Sequence, residues 1–176
     1  MAPRMAPAQL DELDAETAAL VEGAGGLNIF ATLARHPKAL KRWLVFGSHV
    51  LAKSTLPARE RELLILRVGW RCGSEYEFGQ HTVIGQSVGI TAEEVRRLAS
   101  EHLDGWSDDD AMWIRAADEL VADHVIGDQT WAQLAERLSD EQVIDLLFTV
   151  GQYAMVSMAL KTLGVEREAG VPGWPT

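Results

Sequence analysis

The chain has 176 residues, 47% of them hydrophobic and 24% charged, which suits one good-sized core and excludes a low-complexity or disordered class. Acidic residues outnumber basic ones 26 to 16, a formal net charge of −10, so nucleic acid, bound through neutralised phosphates, is not an expected partner. One cysteine, Cys72, allows neither an internal disulfide nor a cysteine-based metal cage and fits a reducing cytoplasm.

Residues 1–9 read as a flexible tail without the apolar stretch of a signal peptide, leaving 10–176 as a single domain. A short helix is expected over 10–23, stopping at Gly23, and a second apolar segment runs to Pro37. Residues 38–53 carry Leu40, Trp43, Leu44, Phe46, Val50 and Leu51 at helical spacing, and Lys38, Lys41 and Arg42 read as a solvated face. After Leu56-Pro57 comes a helix over about 58–70 whose Leu63, Leu64, Ile65, Leu66 and Val68 cover most of its circumference. Such a helix should lie at the centre of the fold. A helix over about 74–88 follows, then a capping box at Thr91–Glu94 for a short helix through Ala99. Ser107 opens a long helix to His124, and two more are expected over 128–138 and 140–163. The uncharged run Leu146–Leu160 is fifteen residues, which reads as a buried helix rather than a membrane span. No alternating β pattern occurs. The fold should be all-α, a bundle of about eight helices.

An internal duplication is possible. Leu56, Leu64, Val68 and Gly69 recur 82 positions on as Leu138, Leu146, Val150 and Gly151.

The chemistry concentrates in the helix over 74–88. Ser74, Glu77, His81, Ile84 and Val88 are spaced 3, 4, 3 and 4 and share one stripe. On the preceding helix Arg59, Glu62, Leu66 and Gly69 form a comparable row, with Gly69 permitting close approach. Packed as a hairpin, the rows would bring a hydroxyl, two carboxylates, an imidazole and a guanidinium together. A carboxylate beside a histidine fixes its tautomer and raises its pKa, while burial opposes that. The bland alternative is a surface Glu–His pair contributing a few tenths of a kcal/mol, on the order of 0.2–0.5. Ser74 also reads as a helix N-cap and Cys72 as a structural thiol. His49 would line the same cavity, and Phe30, Trp43, Phe46, Tyr76 and Tyr153 are candidate walls, or else plain core. The Glu77–His81 pair offers two metal ligands but has no second pair to complete a site, so no metal is expected.

The run LPARERELLILRVGWRCGSEYEFGQHTVIGQSVGITAEEV resembles the signature region of the carboxymuconolactone decarboxylase family, which includes the alkylhydroperoxidase-like proteins. The resemblance spans about residues 27–100 and implies an alkylhydroperoxidase-like helical bundle, usually a homo-oligomer. Six tryptophans, read as partly exposed, would suit an interface. In the family's peroxidase branch a Cys-x-x-Cys pair opens the site helix; the corresponding positions here hold Ser74 and Glu77, which cannot cycle through a disulfide. An antioxidant peroxidase is therefore disfavoured. The positions of that branch's glutamate and histidine match Glu62 and His81. The decarboxylase branch keeps the histidine without the cysteines, which implies acid–base chemistry on a small organic acid, lactone or carbonyl compound. On that reading His81 or Glu77 moves the proton, Glu62 orients His81, Arg59 positions a carboxylate, and Ser74, Tyr76, His49 and Phe46 contact substrate. No cofactor and no membrane is implied. The alternative is a non-catalytic ligand-binding or assembly protein on the same fold.

Overall fold

The computed structural model describes residues 3–175, and among them there are nine α-helices and no strand. They are α1 (Ala15–Gly23), α2 (Asn28–Leu33), α3 (Pro37–Ser48), α4 (Ala58–Arg71) and α5 (Glu75–Ser87), then α6 (Ala92–Leu98), α7 (Asp108–Asp123), α8 (Asp128–Ala135) and α9 (Asp140–Leu163). Side-chain start signals act at four of the helices. Asp14, Thr91, Ser107 and Ser139 each accept a hydrogen bond from a first-turn amide, and Thr91 and Ser139 form capping boxes with Glu94 and Gln142.

Helix α4 is the centre. Its residues Glu62 to Gly69 are buried without a break, because the apolar run Leu63–Leu66 and Val68 presents a core residue on every side. On one side Leu64, Ile65 and Val68 pack with Met112, Trp113 and Ala116 of α7 and Leu146, Val150 and Tyr153 of α9. On the other, Leu63 and Leu66 pack with Phe78, Ile90, Leu98 and Ile114. Five of the six apolar positions in the suspected repeat are buried in the first of these cores, and Leu138 packs against it.

Three segments differ from the sequence reading. The helix expected over 38–53 ends as α-helix at Ser48, and His49–Lys53 is a π-helical turn. Just beyond it Asp145 of α9 accepts hydrogen bonds from the Thr55 amide and hydroxyl and faces His49 Nε2, so α9 holds the chain as it leaves α3. The first element over 10–23 divides into a single 3-10 turn at Leu10–Glu12 and α1. The described part of the N-terminal tail is tied down: the Arg4 and Met5 amides donate to the Leu163 carbonyl and the Ala8 amide to that of Ala31.

Beyond Gly164, whose positive φ of 69° stops α9 in a left-handed cap, residues 165–175 return across α5. Trp174 packs its ring 5.3 Å from that of Trp70 and 5.1 Å from that of Phe78. Gly79 makes room for this segment, since a Cβ there would lie 2.1 Å from the Pro172 carbonyl oxygen. By length and composition α9 is apolar enough to cross a membrane, yet half of its most apolar window is buried in the fold, as expected of a core helix.

Candidate functional site

Helices α4 and α5 form an antiparallel hairpin joined at Cys72–Ser74, and glycines set how close they come. A Cβ on Gly69 would lie 3.2 Å from the Phe78 amide nitrogen, and one on Gly85 3.3 Å from Leu66 and 3.7 Å from Glu62. The hairpin thereby places Glu62 beside His81. Glu62 Oε2 is 2.6 Å from His81 Nδ1, and Glu77 Oε1, one turn before His81, is 3.1 Å from Nε2. All three side chains are buried: Glu62 is 0% exposed, His81 4% and Glu77 5%. The bland surface-pair reading of Glu77 and His81 is therefore excluded by burial.

Two further side chains complete the row. Arg61 donates through Nε and Nη2 to Glu62 Oε1, so each oxygen of Glu62 has its own cationic partner. The ring of Tyr153 meets the His81 ring edge-on, with centroids 4.8 Å apart. Burial pushes the Tyr153 phenol well above its usual pKa, and the Glu77 and Glu62 charges add to this, so it remains a hydroxyl.

For His81 the opposing effects are large. Burial disfavours the imidazolium, but hydrogen bonds and charges from Glu62 and Glu77 outweigh it and raise the pKa from 6.5 to about 9. His81 is thus an imidazolium at neutral pH, with each N–H facing a carboxylate. Because the folded-state pKa lies above the unfolded one, the stability this group lends is complete below pH 6.5 and is lost as pH rises through about 9. Unfolding free energy should therefore fall across that interval, and the fall should be shallower in His81→Gln. The comparison is best made in a Cys72→Ser background, because burial also pushes the Cys72 thiol up and adds an alkaline loss of its own.

Glu77 and His81 open onto a cavity of about 360 Å³ between α5, α9, α2 and α3. Its walls include Leu27, Phe30, Trp43, Leu44, Ile84 and Val156, and its polar lining is Ser48, Tyr76, Gln80, Gln152 and Tyr153 beside the Glu–His pair. The Tyr76 hydroxyl donates to Glu168 of the C-terminal segment at 2.7 Å, and Gln80 donates to the same carboxylate, so that segment fixes one wall.

Several sequence-derived assignments are corrected by this geometry. Arg59 is not at the site: it donates to Asp110 and Glu94, each at 2.6 Å. In an antiparallel hairpin the residue one turn before Glu62 lies past His81, toward α6, and not toward Ser74. Ser74 holds the N-cap position of α5, but its hydroxyl makes no capping bond and is buried without a partner. It lies seven residues from His81, about 10 Å along a helix, and borders a separate open groove of about 620 Å³ beside the C-terminal segment. His49 pairs with Asp145 at the surface, and Phe46 packs edge-on against Phe148, also at the surface. Neither lines the cavity. Tyr76 does, as expected. Among the described residues no group of three His, Cys, Asp or Glu side chains is arranged to hold a metal ion.

Fold and site together define an all-α, alkylhydroperoxidase-like protein whose buried row of acid and base opens on a small cavity. Residues 37–107, 71 of the chain's 176, match the model of the carboxymuconolactone decarboxylase family. No curated protein matches the sequence. Among solved structures, the alkylhydroperoxidase AhpD core of an uncharacterized peroxidase-related protein from Ralstonia eutropha JMP134 superposes with a TM-score of 0.82 at 18% identity, covering 95% of this chain and 93% of that one. An uncharacterized peroxidase-related protein from Silicibacter sp. TM1040 gives 0.77 at 15% identity, with 95% and 94% covered. The debrominase Bmp8, in complex with 2,3,4-tribromopyrrole, gives 0.78 at 13% identity, with 96% and 94% covered. At such identities the likeness is one of fold.

Proposed function

We propose that the chain is an enzyme of cofactor-independent acid–base chemistry, acting on a small organic acid, lactone or carbonyl compound by isomerisation, elimination or decarboxylation. The observation that carries this is the buried row Arg61–Glu62–His81–Glu77, whose only end on a cavity is the Glu77–His81 pair. In the reaction Glu77 takes a proton from the carbon beside a carbonyl group. The C–H electron pair passes into the carbonyl, and the charge on its oxygen develops next to the His81 imidazolium. Return of the proton to a different carbon completes an isomerisation; departure of a leaving group completes an elimination. Decarboxylation would need a cation to hold the carboxylate, and Arg59 is already engaged by Asp110 and Glu94, so the first two outcomes fit the site better.

Peroxidase chemistry of the dithiol kind has no support in this chain. Cys72 is its one thiol, and burial keeps that thiol protonated despite the nearby Lys161. The alternative of a ligand-binding protein without turnover draws on one feature, that both ring nitrogens of His81 already face protein carboxylates. Assembly with further copies of the chain is also proposed. It rests not on tryptophans, of which Trp131 alone is largely exposed, but on the exposed apolar side chains Val45 and Phe46 of α3 and Phe148, Met155 and Met158 of α9, with Phe46 packed on Phe148.

The test is deuterium incorporation from D2O into a panel of small enolisable lactones and cyclic ketones, followed by proton NMR. Incorporation at the carbon beside the carbonyl, faster than in protein-free solution, is expected for at least one of them. Ligand binding without any exchange would favour the non-catalytic alternative.

A further inference from the structure

The charged groups of the cavity limit what can enter it. No Lys or Arg side chain lines it. Of the nearby cations, Arg61 is turned onto Glu62, Arg59 is held by Asp110 and Glu94, and both N–H groups of His81 face carboxylates. An anionic ligand would therefore be buried next to Glu77 with no free cationic donor to meet it, and its desolvation would go uncompensated.

What the cavity does leave free is neutral and paired in kind. The Trp43 indole N–H, which can only donate, and the Gln152 Oε1, which can only accept, are both buried without a partner in the protein. Both residues line the cavity, Gln152 is only 5% exposed, and they stand side by side over Gly47. An ideal Cβ on Gly47 would lie 3.5 Å from Gln152 Nε2 and 3.9 Å from the Trp43 ring. A buried donor or acceptor left unpaired destabilises the fold, and a ligand that pairs both relieves this. Of the other polar groups on the walls, Tyr76 and Gln80 are held by Glu168 and Ser48 donates to the Val45 carbonyl; beyond these, the Tyr153 hydroxyl and the Glu77–His81 pair, the walls are aliphatic and aromatic.

From these features we infer that the ligand of this cavity is an uncharged, flat or compact apolar molecule that offers one hydrogen-bond acceptor and one donor, and is not a carboxylate. This rests on the cavity being the site proposed above. Within that reading it selects neutral lactams and hydroxy- or amino-substituted lactones and ketones over organic acids, hence isomerisation or elimination over decarboxylation.

The test uses benzamide and benzoate, two probes of the same shape that differ in charge, with binding measured by calorimetry on the full chain at neutral pH. Benzamide is expected to bind at least about tenfold more tightly than benzoate, a difference of about 1.4 kcal/mol. Gln152→Leu should lose most benzamide affinity while remaining as stable as the wild type or more so, because it removes an unpaired buried group. Gly47→Leu, which fills the cavity from α3, should abolish binding and leave helix content unchanged. Benzoate binding as tightly as benzamide, benzamide binding that is indifferent to Gln152→Leu, or binding of neither probe would overturn the inference. Since binding is read without turnover, benzamide bound normally by a protein that exchanges no deuterium would count against the proposed reaction alone.

Discussion

Asp118→Ala is expected to destabilise the protein by about 3–5 kcal/mol, the largest effect of any single substitution considered for this fold. Arg67 is 0% exposed in the middle of α4, and its guanidinium is satisfied on every side. Nε and Nη2 donate to the two oxygens of Asp118 at 2.5 and 2.7 Å, and Nη1 donates to the Leu98 and Ser100 carbonyls. Arg71, one turn later, donates to the same carboxylate. Burial would raise the Asp118 pKa, but Arg71 and Arg67 win and hold its carboxyl below the usual range. Its stabilising contribution is therefore present above the unfolded pKa of 3.8 and is lost as pH falls through the lowered folded value. Without Asp118 the Arg67 charge stays buried with carbonyls alone. Arg67→Met, which removes the charge and keeps much of the volume, should cost less. Urea unfolding at neutral pH measures both. A loss below about 1 kcal/mol for Asp118→Ala, typical of a surface pair, would show that the cluster is not sealed from water.

The second large effect concerns catalysis. Glu77→Gln should lower the rate of deuterium exchange by about 10²–10⁴-fold at every pH, as loss of a general base does. Glu62→Gln should act differently, because Glu62 does not line the cavity and acts through His81. It still accepts from Nδ1 but withdraws a charge that raises the His81 pKa. Its pH–rate profile should therefore lose activity at a lower pH than the wild type, with a smaller change in the maximum. Equal, pH-independent losses in the two variants would mean that Glu62 serves only to pack the hairpin.

Helix geometry alone carries the inward placement of Glu77 and His81 and their pairing with the row Glu62–Leu66–Gly69, while the same stripe runs out to half-buried Ile84 and Val88 at one end and to Ser74 beside a separate groove at the other. A shared helix face does not carry hairpin direction, and it is that direction which takes Arg59 a turn beyond His81 toward Glu94 and Asp110. Phe46 and His49 share helical spacing with Trp43 but lie off the stripe of Trp43, Leu44, Gly47, Ser48 and Leu51 that lines the cavity, and spacing alone does not say which face that is. Arg61 left no periodic signal, since adjacent residues on a helix do not face one another, and only the burial of Glu62 brings its long side chain back. Gln152 was hidden in the uncharged run of α9. The C-terminal segment, whose Glu168 holds Tyr76 and Gln80, has no period to read at all. The buried Arg67–Asp118 pair was masked in the same way, by a helix apolar on every other side.

The chemistry of the site depends on a charged His81 imidazolium held between Glu62 and Glu77 on the wall of the cavity. Nitrogen-15 NMR of its ring, followed through a pH titration of the whole chain, reports that charge. The expected result is protonation of both ring nitrogens at neutral pH and titration near about 9. A ring that is neutral at neutral pH, titrating at or below 6.5, would contradict it.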